Sequence, residues 1–377
     1  MISRDDIDII AARADAIADR YRDINTQFLR IVGDRIKKIG QLRPKELHQI
    51  EQILAAEQDA QRIIDTITQT SGRSKDNIDK MLVQSDQNDL DFSEVYYKYK
   101  NMPVPKAIDN ERIMAMVEAV SRQASGQLDN LSLTTALKLK TDYGGSGYYT
   151  LASGYKRIVS DAVLAVQNGT VDYNTAIRST LRSLADSGIK VIEYESGYMR
   201  RIDAAARMNI LDGVRQINQQ MQDIVGEQIG ADGVELSAHL ECAEDHLPYQ
   251  GLQYSMEDFE RLQATLKRPI GQWNCRHKRY AIILGVSKPV YSAEDLEQMR
   301  RYNRRKITID GEQYNIMQAR QILNGLALQK QQQQDRLSLF NASGDQLAAA
   351  EAQNKITQID IKYKKIQDII DSINLPS

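Results

Sequence analysis

Cysteine and histidine are scarce in this chain, with two of the former and four of the latter among 377 residues. Cys242 and Cys275 cannot make a disulfide framework, so a reducing cytoplasm is the expected place of synthesis. Proline is held to seven positions, and phenylalanine and tryptophan to four and one against 18 tyrosines. So few large aromatics, beside abundant Ile, Leu, Ala, Gln and Asp, point to helices rather than a β-sandwich. No run approaches the about 18 apolar residues that a membrane span needs. The opening MISRDDIDII is acidic and amphipathic, unlike a secretory signal. Charge of either sign is also lacking in excess: the net value of −2 argues against a globally basic nucleic-acid coat and leaves room only for a local patch. A chain of 377 residues nevertheless exceeds the size at which one core keeps growing, so several structural units are expected.

What is present is, first, helical periodicity. Ile7, Ile10, Ala14, Ile17, Tyr21, Ile24, Phe28 and Ile31 step by three and four and form one stripe along a long helix. Gly40 and Pro44 break it. A second helix from near Lys45 is expected to carry Leu47, Ile50, Ile53, Leu54, Ile63, Ile64 and Ile67 on its inner side. The two predict an antiparallel hairpin over residues 1–90. Its stripes either satisfy each other and the next helices or leave a side for docking on a larger assembly. His48 reads as a solvated surface histidine. Residues 91–187 read as further helices with loops at 101–110 and 142–155. Gly144, Gly145 and Gly147 neither follow a strand nor precede a lysine, so they serve turns rather than a phosphate loop. YYKYK at 96–100 reads as a partly buried tyrosine face with lysines reaching outward; stacking on bases is the alternative.

From Gly188 the texture changes. KVIEY at 190–194 and VELSAH at 234–239 are short strand candidates flanking a helix from about Tyr198 to Gly226. ITIDGEQY at 307–314 sets Asp310-Gly311 between two β-prone arms, the best hairpin signal in the chain. Residues 188–316 thus predict a small α+β domain. Both cysteines and three of the four histidines lie in it, from His239 through Cys242, His246 and Cys275 to His277. A helical turn would put His239, Cys242 and His246 on one side. Zinc takes a tetrahedral set of Cys and His ligands from separated segments, although the spacing matches no common finger or ribbon. A Cys–His nucleophilic pair, Cys275 with His246 or His239, a nuclease using His246, Asn274 and His277, and imidazoles that simply hydrogen-bond the backbone are the other readings.

Residues 317–377 return to helix. LQKQQQQDRL at 328–337 is a polar run that a helix tolerates. Ile356, Ile359, Tyr363, Ile366, Ile370 and Ile373 repeat in a pattern suited to a coiled-coil seam. That seam packs either on the N-terminal hairpin or on another molecule, giving an oligomer through the helical ends. RRYNRRK at 300–306 gathers Arg300, Arg301, Arg304, Arg305 and Lys306 with no acid among them, either a solvated face or a contact for DNA phosphates.

GIKVIEYESGYMRRIDAAARM at 188–208, VELSAH with a second histidine at 246, then YQG and NCRH, resemble the phage minor capsid protein 2 family. That family is similar in role to the Mu-type head morphogenesis proteins. NGTVDYNTAIRSTLRSLADSGI at 168–189 and RIKKIGQLRPKELHQIEQIL at 35–54 extend the likeness over most of the chain. The segments together read as a mainly α fold with a small α+β domain, and the resemblance implies a non-enzymatic virion component of a tailed bacteriophage or prophage. Such a protein would sit inside the head near the portal and assist head morphogenesis and DNA packaging or ejection. Portal protein, major capsid protein and packaged double-stranded DNA are its implied partners. The family pattern falls on His239, His246, Gln250, Gly251, Asn274, Cys275 and His277. The metal set consistent with it, for a structural zinc, is His239, His246, Cys275 and His277. Glu241-Cys242-Ala243 stands where the family more often shows Gly-Ala-Arg, and Tyr249 replaces a frequent tryptophan. Cys242 is therefore set aside, and a role needing a cation at that corner is weakened. The alternative for the same cluster is a metal-dependent nuclease or a Cys–His hydrolase.

Overall fold

The computed structural model describes residues 4–43, 46–106, 111–140, 145–167, 173–192, 199–271, 275–286 and 288–373. Two long helices open the chain, α1 (Arg4–Gln41) and α2 (Gln49–Tyr99). They run antiparallel: Tyr21 and Ser71 share a hydroxyl hydrogen bond of 3.0 Å, and Arg35 Nε donates to Asp59 at 2.9 Å. On α1 the predicted stripe is buried from Ala14 through Ile17, Tyr21 and Ile24 to Phe28; the side chains of Ile7 and Ile10 lie outside the described residues. On α2 the expected inner side needs correcting. Ile50 is 74% exposed and Leu54 52% exposed, and the buried face is Ala56, Ala60, Ile63 and Ile67, with Leu47 buried just before the helix. α2 also continues past residue 90 with Tyr96 and Tyr97 buried, since no proline interrupts it before Asn101 turns at φ 53°.

Helices α3 (Glu111–Leu133), α4 (Leu151–Gln167) and α6 (Ile202–Ile229) pack on this pair, α5 (Tyr173–Ser187) packs on α4, and one apolar core runs through all of them. The middle of the chain is not wholly helical. β1 (Thr135–Lys140) and β2 (Ser146–Thr150) form a hairpin that joins β3 (Lys190–Ile192) and β4 (Met199–Arg201) in the order β2-β1-β3-β4, antiparallel throughout. Much of the expected loop at 142–155 is therefore strand and the start of α4, and Gly144 lies outside the described residues. The tyrosines of β2 supply the β propensity that the surrounding glycines conceal. Gly154 lets α4 close on this hairpin, because a Cβ there would sit 3.0 Å from Leu137 Cδ1.

After the His/Cys region come α8 (Ala293–Arg304), β8 (Lys306–Ile309), β9 (Glu312–Asn315), α9 (Ile316–Ser343) and α10 (Gln346–Asp371). The β8–β9 turn sits at Asp310-Gly311, both at positive φ, as the sequence predicts. The tail is two helices, divided where Gly344 ends α9 at φ 80° and the Asp345 side chain caps α10 through Ala348 N–H. Ile366, Ile370 and Ile373 pack on Ile316, Leu323 and Leu326 of α9 and on Ile307 and Ile309 of the hairpin. Much of the predicted seam is thus used within the chain. α9 in turn lies on α1 so closely that a Cβ on Gly33 would come 2.6 Å from Ala342 Cβ. The polar run in α9 is partly internal: Asp335 accepts from buried Arg201 at 2.9 Å, and Arg201 also contacts Asp203 at 3.3 Å.

Candidate metal centre

Three strands carry the His/Cys region: β5 (Gly233–Leu236) in the centre, flanked by β6 (Gln253–Ser255) and β7 (Arg279–Ile282), both antiparallel to it. β5 is buried along its length. Pairing continues beyond the strands. Ser237 N–H donates to Lys278 O and Lys278 N–H to Ser237 Oγ, each at 2.9 Å, while Leu236 N–H reaches Leu252 O at 3.0 Å. The antiparallel register thereby sends three segments out of the same end of the sheet: His239 after β5, Gln250 and Gly251 before β6, and Cys275 and His277 before β7. His246 comes from the connection between β5 and β6. That connection is a chain of turns, with His246 and Leu247 N–H both on Ala243 O and Glu241 at φ 62°. The expected helical turn through His239, Cys242 and His246 is absent, and the sheet end brings these residues together instead. Helix α7 (Met256–Thr265), capped by Ser255, covers the adjoining apolar face through Phe259. Lys278 Nζ lies 3.5 Å from buried Asp89 of α2 and ties the ligand-bearing segment to the helical body.

The imidazoles are oriented by hydrogen bonds. His277 Nε2 lies 3.0 Å from Gln250 Oε1, and the same oxygen accepts His239 N–H at 3.1 Å. The backbone donor fixes which way the Gln250 amide points, so His277 carries its proton on Nε2. His246 Nε2 lies 2.7 Å from the Arg268 carbonyl and is a donor by the same reasoning. Both rings then turn an Nδ1 lone pair toward Cys275 Sγ, at 3.5 Å for His246 and 3.2 Å for His277. His239 Nδ1 faces Leu240 O at 2.9 Å, leaving its Nε2 buried without a hydrogen-bond partner. Among the described residues, two triads have donor atoms within 4.8 Å of one another: His246–Cys275–His277 and His239–Cys242–His277. His277 belongs to both, and its ring lies 4.5 Å from that of His239 and 5.5 Å from that of His246 between centroids.

This chemistry favours neutral groups. Burial first, then the nearby His239, His246 and Arg268, holds His277 well below the usual imidazole range. Burial likewise lowers His239. Burial pushes the Cys242 thiol up to about 12, so Cys242 stays protonated. Of the nucleophilic pairs read from the sequence, Cys275 lies 3.5 Å from His246 Nδ1, whereas His239 groups with Cys242 and His277 instead. Cys242, which the sequence sets aside, is fully internal and reaches His277 Nε2 at 3.5 Å; its burial is the signal that residue type alone does not give. Asn274 lies outside the described residues.

The match to known families decides what this arrangement belongs to. Residues 10–368 match phage minor capsid protein 2. The chain belongs to that family. No curated protein and no solved structure matches. Membership makes it a phage structural protein that associates with other capsid components. The family match spans the helices and the His/Cys module together.

Two other motif positions of this minor capsid protein have evident work in the fold. Gln250 holds both His239 and His277. Gly251 sits at φ +71°, where a Cβ would meet Leu296 Cδ2 at 2.4 Å. The basic run is placed differently. Arg300 and Arg301 face Glu297 of their own helix at 3.9 and 3.2 Å, while Arg304, Arg305 and Lys306 are exposed. Arg301 and Arg304 lie in the last turn of α8, where cations also complement the helix dipole. Tyr302 and Asn303 point inward, and Asn303 Oδ1 accepts Glu241 N–H at 2.6 Å, so this run borders the cluster.

Proposed function

We propose that this minor capsid protein is a non-enzymatic part of a tailed-phage or prophage virion, seated inside the head near the portal. There it assists head morphogenesis and DNA packaging or delivery, in contact with portal and major capsid proteins. The observation that carries the reading is the extent of the family match, residues 10–368. It takes in the whole helical body with the small module, so the resemblance is not confined to one borrowed domain. The sheet β5–β7 with its His/Cys cluster acts as a compact module on the helical body, whose core also takes in β3 and α6, while β8–β9 packs with α9 and α10. The exposed Ile50 and Leu54 on α2 offer apolar area for a capsid partner. Arg304, Arg305 and Lys306 offer contacts to packaged DNA. Fractionation of purified particles tests the placement. The protein is expected in intact virions, resistant to protease until the heads are opened, and cross-linked to the portal. Its absence from particles, or digestion in intact ones, would refute an interior virion role. Cleavage of DNA by the purified chain, abolished by His246→Ala and His277→Ala, would refute the non-enzymatic one.

A further inference from the structure

We infer that the chain holds one zinc-class divalent cation through His246 Nδ1, Cys275 Sγ and His277 Nδ1. The ring tautomers carry the argument. With the Nε2 protons committed to the Arg268 carbonyl and to Gln250 Oε1, two imidazole lone pairs converge on one sulfur at 3.5 and 3.2 Å. A single thiol hydrogen satisfies only one of them. The other is left facing sulfur in a site whose two histidines are buried, which is costly for polar groups. A cation satisfies both at once.

The spacing fits that ion. Metal–sulfur and metal–nitrogen bonds of about 2.3 and 2.0 Å at a tetrahedral angle put S and N about 3.5 Å apart. The outer partners are those expected around metal-bound imidazole, a carbonyl and an amide oxygen on the far nitrogen. One thiolate and two imidazoles select zinc-like metals over magnesium or calcium. On binding, the Cys275 thiol proton leaves to solvent and the sulfur–metal bond replaces it, while both imidazoles bind neutral.

The competing triad is less suitable. It needs His277 through the nitrogen already donating to Gln250, and Cys242 already donates to Ala243 O at 3.3 Å. His239 groups with Cys242 and His277, not with His246 and Cys275, so the quartet implied by the resemblance is not assembled around one point.

The test is cobalt titration of the reduced, metal-free full chain. One equivalent is expected to give thiolate-to-cobalt charge-transfer absorption that zinc displaces, retained in Cys242→Ser and lost in Cys275→Ser. Independently of any variant, one equivalent of zinc is expected to slow alkylation of Cys275 at least tenfold, read by peptide mass spectrometry. No charge-transfer band, a band surviving Cys275→Ser, a band lost in Cys242→Ser, or alkylation of Cys275 indifferent to zinc would overturn the assignment.

Discussion

Replacing Gly251 by alanine should destabilise the His/Cys module far more than its single added methyl group implies. Two effects add. At φ +71° an L-residue sits in the left-handed region, which costs about 1–2 kcal/mol. The new Cβ would also lie 2.4 Å from Leu296 Cδ2 and 3.2 Å from both Ala238 Cβ and Tyr291 Cδ2, against ordinary carbon contacts of about 3.5–4.0 Å. Those neighbours have little room to retreat. Leu296 is buried on a helix whose start is fixed by the Ser292–Asp295 capping box, and Tyr291 Oη donates to Ala238 O at 3.2 Å. Overpacking of this kind costs about 1–3 kcal/mol, giving a total of about 2–5 kcal/mol. Urea unfolding followed by Trp273, the single tryptophan and a near neighbour of Cys275 in sequence, measures it. Gly311→Ala is the matched control, because Gly311 has φ +90° but nothing within 4 Å of an added Cβ. It should show the backbone part alone. Equal losses in the two variants, or a loss at Gly251 below about 1 kcal/mol, would show that close packing of α8 on this turn is not what requires glycine.

Further outcomes follow from other contacts. Burial lowers the proton affinity of His277 in the folded state, whereas an unfolded imidazole titrates near about 6.5. As pH falls below that value the unfolded chain binds the extra proton first. Metal-free stability should therefore drop by about 1.4 kcal/mol per pH unit from this residue, down to its folded pKa; an identical slope in His277→Asn would refute it. Gln250→Ala should weaken zinc binding roughly 10–100-fold, and an unchanged dissociation constant would remove Gln250 from the orienting role. Asp335→Ala leaves buried Arg201 with Asp203 as its remaining ion-pair partner among the described residues and should cost about 3 kcal/mol in thermal or urea unfolding. Joint replacement of Arg304, Arg305 and Lys306 by alanine should reduce the salt dependence of duplex-DNA binding by roughly 2–3 in the slope of log K against log salt. An unchanged slope would place the run away from DNA.

Much of the helical frame was legible because burial follows a helical period: Ala14, Ile17, Tyr21, Ile24 and Phe28 are both patterned and internal. The β8–β9 turn was legible because Asp-Gly supplies the positive φ that a tight hairpin needs. Other features are set by neighbours distant in sequence. Ile50 and Leu54 look like core and are exposed, while Ala56 and Ala60 are buried. The β1–β2 hairpin hides among glycines and gains its stability from β3 and α4. In the candidate site, the residue types marked the location, but the orienting Arg268 carbonyl is a backbone group with no signature of its own. The buried state of Cys242 is likewise tertiary.

The packing of α9 on α1 also has a consequence in time. Arg30 Nε donates to Ser338 Oγ across 308 residues of sequence, and Gly33 meets Leu339 and Ala342 over the same span. At about 5–20 residues per second, α1 leaves the ribosome roughly 15–60 s before its partner exists. During that interval part of its apolar stripe has no native cover. Contacts so far apart slow folding, so a nascent chain of this protein is prone to associate before it is finished. Supply of the last helices, rather than formation of the first, sets when the N-terminal half can reach its final state.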